Sequence, residues 1–449
     1  MHVGLDFGTT NSTAAVFDGE RLQLIPLDPV SASPTVMPSA LFIGRGGELL
    51  MGQRAIDHYT AANVGREIIY ERRAIGSLDL TFASVGTVTR DVYALVDANI
   101  PGRLFQSMKT ALRDASYTTT DVFGTPWSLE ELIATLLREI KRQVEDFTGE
   151  RITSMTVGRP VHYAPTAAGD SLAIRRMRQA CELAGLPEVS FLEEPVAAAH
   201  AYTRDMDRLR HVLVFDFGGG TLDVTIMALS PDGRREVKAT EGVPIGGDLL
   251  DSRVVMGALQ PYFGAGARLG PRKLPLPAFL LEHLQSWQEI LDLHTPRELA
   301  VIDEAILSGD RPVELRALRA LVRGNYGLPL FRAVEQGKRR LSEQDEAAIR
   351  MDVPEIQFEH RLRRVEFERL IGPDTRAIAA CVDRALAAAA VAPPEVNVVL
   401  RTGGSSRIPR FVQLLAERFG EERLLALDSF TSVGAGLAIA AWEQRARRR

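Results

Sequence analysis

The sequence is short of lysine: of 53 basic residues in 449, only five are Lys (Lys109, Lys141, Lys238, Lys273 and Lys338). A lysine inside a motif therefore stands out against an arginine background. Cysteine is almost absent. Cys181 and Cys381 cannot build a disulfide framework and fit no zinc-ligand spacing, which points to a reducing compartment. No apolar run approaches the roughly 20 residues that a bilayer span needs. The longest, around 385–392 and 433–442, fall well short. The first residues show no basic flank before an apolar run, and Asp6 interrupts them. Neither a signal peptide nor a membrane partner is expected, and the expected location is the cytoplasm. Net charge is −5 with both signs interspersed, which argues against nucleic acid as a partner. No G-x-x-x-x-G-K-[ST] phosphate loop occurs. Gly264–Gly270 imitates a dinucleotide fingerprint, but its spacing is wrong and no strand precedes it, so it reads as a loop.

What is present is a globular composition, 45% hydrophobic and 25% charged, with a length that suggests about three domains. It also contains an internal echo. Val3–Phe17 and Val212–Ile226 each read as an apolar strand ending in Asp, a Gly/Thr-rich turn and a second apolar strand. Asp6 and Asp216 are the matched aspartates, and two matched hairpins suggest a duplicated unit with a ligand between its halves. Between them the text turns helical. Leu129 to Val144 is amphipathic with Ser128 as cap, 152–157 is a short strand, and 167–184 is another helix. A strand over 396–400 precedes a Gly-Gly turn and a helix from Pro409 to Phe419. Alternating strands and helices predict an α/β architecture. Residues 44–99 read as irregular and peripheral, the proline-rich stretch 261–329 as a helical insertion, and 445–449 as a solvated basic helix end.

A tight Gly/Thr turn between strands offers successive backbone N–H groups to an anion without any cationic side chain. Asp6 and Asp216 end their strands beside such turns, where they could hold magnesium through its waters. Thr9, Thr10 and Thr221 add hydroxyls for phosphate oxygens or water.

These motifs resemble those of the seventy-kilodalton heat-shock chaperones, within the actin-like ATPase superfamily. DFGTTNS (Asp6–Ser12) is similar to the first phosphate motif and VFDFGGGTLDVTI (Val214–Ile226) to the second. LEEPVAAAHAY (Leu192–Tyr202) is similar to the connecting motif, and IGGDLLD (Ile245–Asp251), with Gly246 and Gly247, to the segment after the second phosphate loop. EQGKRRLS (Glu335–Ser342) resembles the adenosine helix and TGGSSRIP (Thr402–Pro409) the adenosine loop; FERLIGP near Phe367 fits as well. The order is that of the family and nearly the whole chain is covered.

The resemblance implies two duplicated ribonuclease-H-like lobes, each with a peripheral insertion. Lobe I would comprise 1–208 plus 428–449, with its peripheral part at about 36–124. Lobe II would comprise 209–427, with a partly helical insertion at about 253–372. It implies ATP or ADP with Mg2+ as ligands. Asp6, Asp216 and Thr9 would flank metal and phosphates, while Gly8, Thr10, Asn11, Gly218, Gly219 and Gly220 cradle the phosphates. Thr221 and Glu194 would orient the attacking water with support from Asp223. Gly403, Gly404, Ser405 and Arg407 would hold adenosine, and Glu335, Lys338 and Ser342, spaced along one helix face, would meet ribose and base.

The family's catalytic lysine has two counterparts. Arg72 sits in the local pattern with arginine for lysine, whereas Ser107–Leu112 supplies the lysine itself, and Lys109 is the assignment made here. Departures are informative too. Val157-Gly158-Arg159-Pro160 replaces the usual turn, with Arg159 read as an addition specific to this site. No interdomain linker or peptide-binding domain follows 433–442, so the expectation is an ATPase engine, a monomer and nucleotide-dependent switch for a separate protein partner or co-chaperone. The alternatives are an actin-like filament protein and, lacking a clear carboxylate base, a small-molecule kinase.

Overall fold

The computed structural model describes residues 1–82, 86–164, 166–202, 209–230, 234–426 and 432–448. Side chains of 73–96, 201, 202, 432 and 444–448 lie outside that description, and with them the basic helix end 445–449.

Two sheets repeat one connectivity. In the first, His2–Phe7 is central, with Asn11–Phe17 and Leu22–Leu24 antiparallel on one side. Ser154–Arg159 and Glu188–Glu193 run parallel on the other. In the second, Arg210–Phe217 is central, flanked antiparallel by Leu222–Leu229 and Arg235–Val243. Val396–Thr402 and Leu424–Ala426 run parallel beyond it. Parallel strands require crossover helices, and these cover both faces of the sheets. Val3, Leu5 and Phe7, like Leu213, Phe215 and Phe217, are fully buried or nearly so. Each such side chain contributes about 1.5–3 kcal/mol on leaving water.

The helices form where the pattern demands. Leu129–Thr148 starts on a capping box in which Ser128 Oγ accepts from Glu131 N and Glu131 accepts from Ser128 N; Gly149, left-handed at φ 70°, ends it. It buries Leu132, Ile133, Leu136, Leu137 and Ile140 against the first sheet's core. The last helix, Ser432–Arg448, packs so closely on the first strand that a Cβ at Gly4 would lie 2.2 Å from Ala438 N. Gly372–Ala389 and Pro409–Phe419 bury into the second sheet's core.

The peripheral regions hold more order than the sequence suggested. Within 44–99 stand the helix Gly52–Asn63 and a long hairpin, Tyr70–Phe82 with Gly86–Asp97. That corrects the irregular reading: Leu78, Leu80 and Phe82 alternate with polar residues, a strand signal hidden by the surrounding charges. The 261–329 stretch is helical as expected, with Ala278–Glu282, Trp287–Asp292, Pro296–Ser308 and Pro312–Arg323, and one short ladder of Arg268–Leu269 with Leu274–Pro275. The two regions touch. Gly65 N donates to Gly324 O at 2.8 Å, Asn325 Nδ2 to Asn63 O at 3.1 Å, and the Tyr59 and Trp287 rings lie 6.0 Å apart. Leu328 completes an apolar cluster with Phe42 and Ile56. The two halves are thereby joined a second time, away from the sheets.

Candidate nucleotide site

Both hairpins turn in the same way. Gly8 N donates to Asn11 O at 3.0 Å, and Gly218 N donates to Thr221 O at 3.1 Å. Each glycine carbonyl is capped by a serine: Ser39 Oγ donates to Gly8 O at 2.8 Å and Ser405 Oγ to Gly218 O at 3.1 Å. Both turns border a cavity of about 810 Å³.

That cavity gathers Asp6, Glu194, Asp216 and Asp223 with Lys109. Lys109 arrives on a single helical turn, Met108–Ala111, launched by Ser107 in a left-handed conformation (φ 54°). Met108 and Leu112 anchor the turn in the core, and Lys109 Nζ donates to Glu194 Oε1 at 2.6 Å. Glu194 opens the helix Glu194–Tyr202.

The electrostatics follow from crowding. Burial, then Glu194, pushes the Asp6 carboxyl up to about 7, against the pull of Lys109. Burial, then Glu194, Asp223 and Asp6, holds Asp216 well above the carboxylate range. Asp223 reaches about 6 through burial and Glu194. Burial opposes the charge on Lys109, yet Glu194, Tyr163 and Asp6 together raise its pKa. Carboxylates held in mutual repulsion in a buried cavity are a donor set short of positive charge.

The residues fit a phosphate chain with a divalent cation. Gly219 and Gly403 both line the cavity, and glycine is required at each because a Cβ at Gly219 would meet Thr10 Oγ1 at 2.3 Å and one at Gly403 would meet Phe217 O at 2.2 Å. Thr13 Oγ1 is buried without a hydrogen-bond partner and its residue lines the cavity. Asp6 and Asp216 could serve magnesium through waters, in the manner of a cation that retains much of its hydration.

Of the residues singled out from sequence, Gly8, Thr9, Thr10, Asn11 and Thr221 also line the cavity. So do Gly218, Gly219, Gly220, Gly403 and Gly404. A second group stands beside the cavity without lining it. Lys338 Nζ donates to Gly247 O and Asp251 Oδ2, both at 2.8 Å, and a Cβ at Gly247 would sit 2.9 Å from Ser405 Oγ. Gly246 packs its backbone on Gly219 O. Glu335 is exposed on the same helix, Ser342 caps its end, and Arg407 closes the turn Gly404–Arg407. Arg72 is exposed on Tyr70–Phe82, opposite Leu95, and is not among the cavity-lining residues. Arg159 corrects the expectation of a site residue: its guanidinium braces its own turn and it does not line the cavity. Sequence reading missed Thr13, Arg113, His162 and Tyr163 on the cavity wall. Arg113 follows Lys109 by four residues, a helical spacing that could have signalled it.

Two sheets of one connectivity, presenting paired glycine turns to a shared cavity, define the actin-like ATPase fold. The Hsp70 protein family model matches residues 2–263 and 327–443, and the chain belongs to that family. The unmatched 264–326 coincides with the helical insertion. Relatives include the chaperone protein dnaK of Cyanidioschyzon merolae, 26% identical over 443 residues, which covers 98% of this chain and 61% of the relative. Chaperone protein dnaK3 of Synechocystis is 27% identical over 441 residues, covering 98% of this chain and 48% of the relative. The chain thus spans about half to three fifths of the length of the curated relatives it matches. Among the described residues, no helix is long and apolar enough to cross a membrane.

Proposed function

We propose that this chain binds ATP with magnesium, hydrolyses it, and acts in the cytoplasm as a nucleotide-dependent switch read by a separate protein partner or co-chaperone. The observation that carries this reading is the Lys109–Glu194 pair, 2.6 Å apart in a cavity bordered by both glycine hairpins. In this reading 1–208 with 428–449 and 209–427 are the two lobes that close on the nucleotide. Magnesium, when bound, neutralises charge on the phosphate chain. Asp6 and Asp216 would hold its waters, and the Gly8–Asn11 and Gly218–Thr221 turns would hold phosphate oxygens through backbone N–H groups. Gly403 and Gly404 would seat the adenosine with Ser405 and Arg407 behind them, and Lys338 would fix that wall through Gly247 and Asp251. Lys109 would stabilise the charge that develops on the transferred phosphoryl group, with Glu194 fixing its ammonium and, with Thr221 and Asp223, orienting the water.

Calorimetric titration with ATP and ADP, with and without magnesium, together with phosphate liberation assays, tests the engine. Absence of nucleotide binding at millimolar concentration would sink it. For the switch, pull-downs with ATP-held Thr221→Ala protein and with ADP-loaded protein should retain a partner in one state alone.

A further inference from the structure

Lys109 stands on weak local structure. Its helix, Met108–Ala111, is a single turn, and the flanking Ser107 makes no side-chain cap. A lone turn is unstable by itself, because fixing its dihedrals costs more than one hydrogen bond returns. The next regular element is the strand Thr119–Val122. Between them the chain runs through turns, with Asp114 N donating to Ala111 O at 3.0 Å and Tyr117 N to Asp114 O at 3.3 Å.

Arg176, on the helix Ala167–Leu183, supplies what this segment lacks. Its Nη1 donates to Asp114 O at 2.8 Å, with longer contacts to Leu112 O at 3.4 Å and Ala111 O at 3.5 Å. Its Nη2 donates to Tyr117 O at 2.6 Å. The remaining nitrogen, Nε, pairs with Glu130 Oε1 at 3.2 Å, and both side chains are only 11% exposed. Glu130 lies in the first turn of Leu129–Thr148. One guanidinium therefore ties the segment to two core helices at once. That takes a planar fork of donors, which a lysine ammonium does not have.

The clasp sits apart from the reacting groups. Arg176 is not among the cavity-lining residues, whereas Lys109, Thr110 and Arg113 of the segment it holds are. Lys109 Nζ meets Glu194 Oε1 at 2.6 Å, and a misplacement of about 1 Å can cost about 10²-fold in rate.

We propose that Arg176 is the positioning residue for Lys109: by gripping the carbonyls of 111–117 from the side away from the cavity, it fixes the turn that aims the ammonium at Glu194. What Lys109 does there rests on the nucleotide reading; what holds it rests on these contacts alone.

The test compares full-length protein carrying Arg176→Ala in the parent and in a Lys109→Ala background, by single-turnover ATP cleavage and ADP calorimetry. Arg176→Ala should slow cleavage about 10- to 100-fold with ADP affinity kept within about threefold. In the Lys109→Ala background the same change should cost less than about twofold. Arg176→Lys and Glu130→Gln, milder variants, should fall between the parent and Arg176→Ala. Hydrogen exchange gives a readout free of turnover: amides of 108–114 should exchange at least about tenfold faster in Arg176→Ala, while those of His2–Phe7 keep their protection. Equal losses of cleavage in both backgrounds, no loss in the parent background, or unchanged exchange over 108–114 overturns the proposal. If the parent cleaves no ATP, the nucleotide reading fails separately, and hydrogen exchange alone then decides the clasp.

Discussion

Gly219 and Thr10 meet across the cavity: a Cβ built on Gly219 would stand 2.3 Å from Thr10 Oγ1 and 3.5 Å from Thr10 Cβ. One residue belongs to each hairpin, so the two glycine turns approach to the limit that hydrogen in place of a methyl group allows. Gly219→Ala should therefore force the hairpins apart and lower ATP affinity at least tenfold by calorimetry. Thr10→Ala removes the nearer atom and leaves an ordinary 3.5 Å contact. In the double variant, the affinity relative to Thr10→Ala alone should recover to within about threefold; failure to recover would refute the steric account.

Lys109→Ala should cut ATP turnover by roughly 10²–10³-fold, the usual loss on deleting a preorganised charge stabiliser, while nucleotide still binds. Arg72→Ala, on an exposed strand position away from the cavity wall, should stay within about twofold of the parent. Turnover surviving in the first variant and abolished in the second would reverse the assignment.

Lys338 and Asp251 form a buried ion pair with a reading in pH. Burial, the largest influence, raises the Asp251 carboxyl from 3.8 to about 7, while Lys338 draws it down. An acid whose folded pKa lies above its unfolded value favours the fold at low pH and loses that contribution as pH rises through the folded pKa. Removing one partner of a buried pair costs about 3–5 kcal/mol. Lys338→Met should lose stability on that scale at pH 8 and less at pH 5, where Asp251 is protonated. Urea denaturation at the two pH values measures the difference; equal losses would contradict it.

Leu328 seats the second-half helix Gly327–Leu341 in the apolar cluster of Phe42 and Ile56. Truncation of a buried leucine typically costs about 2–5 kcal/mol. Because this cluster joins the two halves, Leu328→Ala should open the molecule before it unfolds it. Stopped-flow release of a fluorescent ADP analogue should quicken, about tenfold for each 1.4 kcal/mol felt as opening. An unchanged release rate would show that the contact does not govern opening.

Much of this site could be read from residue order alone. Asp6 and Asp216 announce themselves through the repeated strand–turn–strand text, and capping by Ser128 through its spacing to Glu131. Pro409–Phe419 emerges with the bounds expected from its residue pattern. What stayed illegible depends on partners distant along the chain. Nothing local says that Arg159 pairs with Glu193, 34 residues on, or that Lys338 turns inward to Asp251, 87 residues away. The hairpin Tyr70–Phe82 was obscured because its alternation covers only part of its length. Tyr163 had no motif to mark it; burial beside Lys109 makes it conspicuous.

The close fit of Ser432–Arg448 on the first strand has a consequence for synthesis. Gly4 abuts Ala438 N, Gly436 abuts Ala197 O and Phe17 meets Trp442 edge-on at 5.6 Å. The opening strand thus waits for almost the whole chain to leave the ribosome before its covering helix exists. Contacts of such sequence separation are slow to form, and until they do the face of His2–Phe7 is bare apolar surface. Apolar surface left bare for that long favours aggregation over folding.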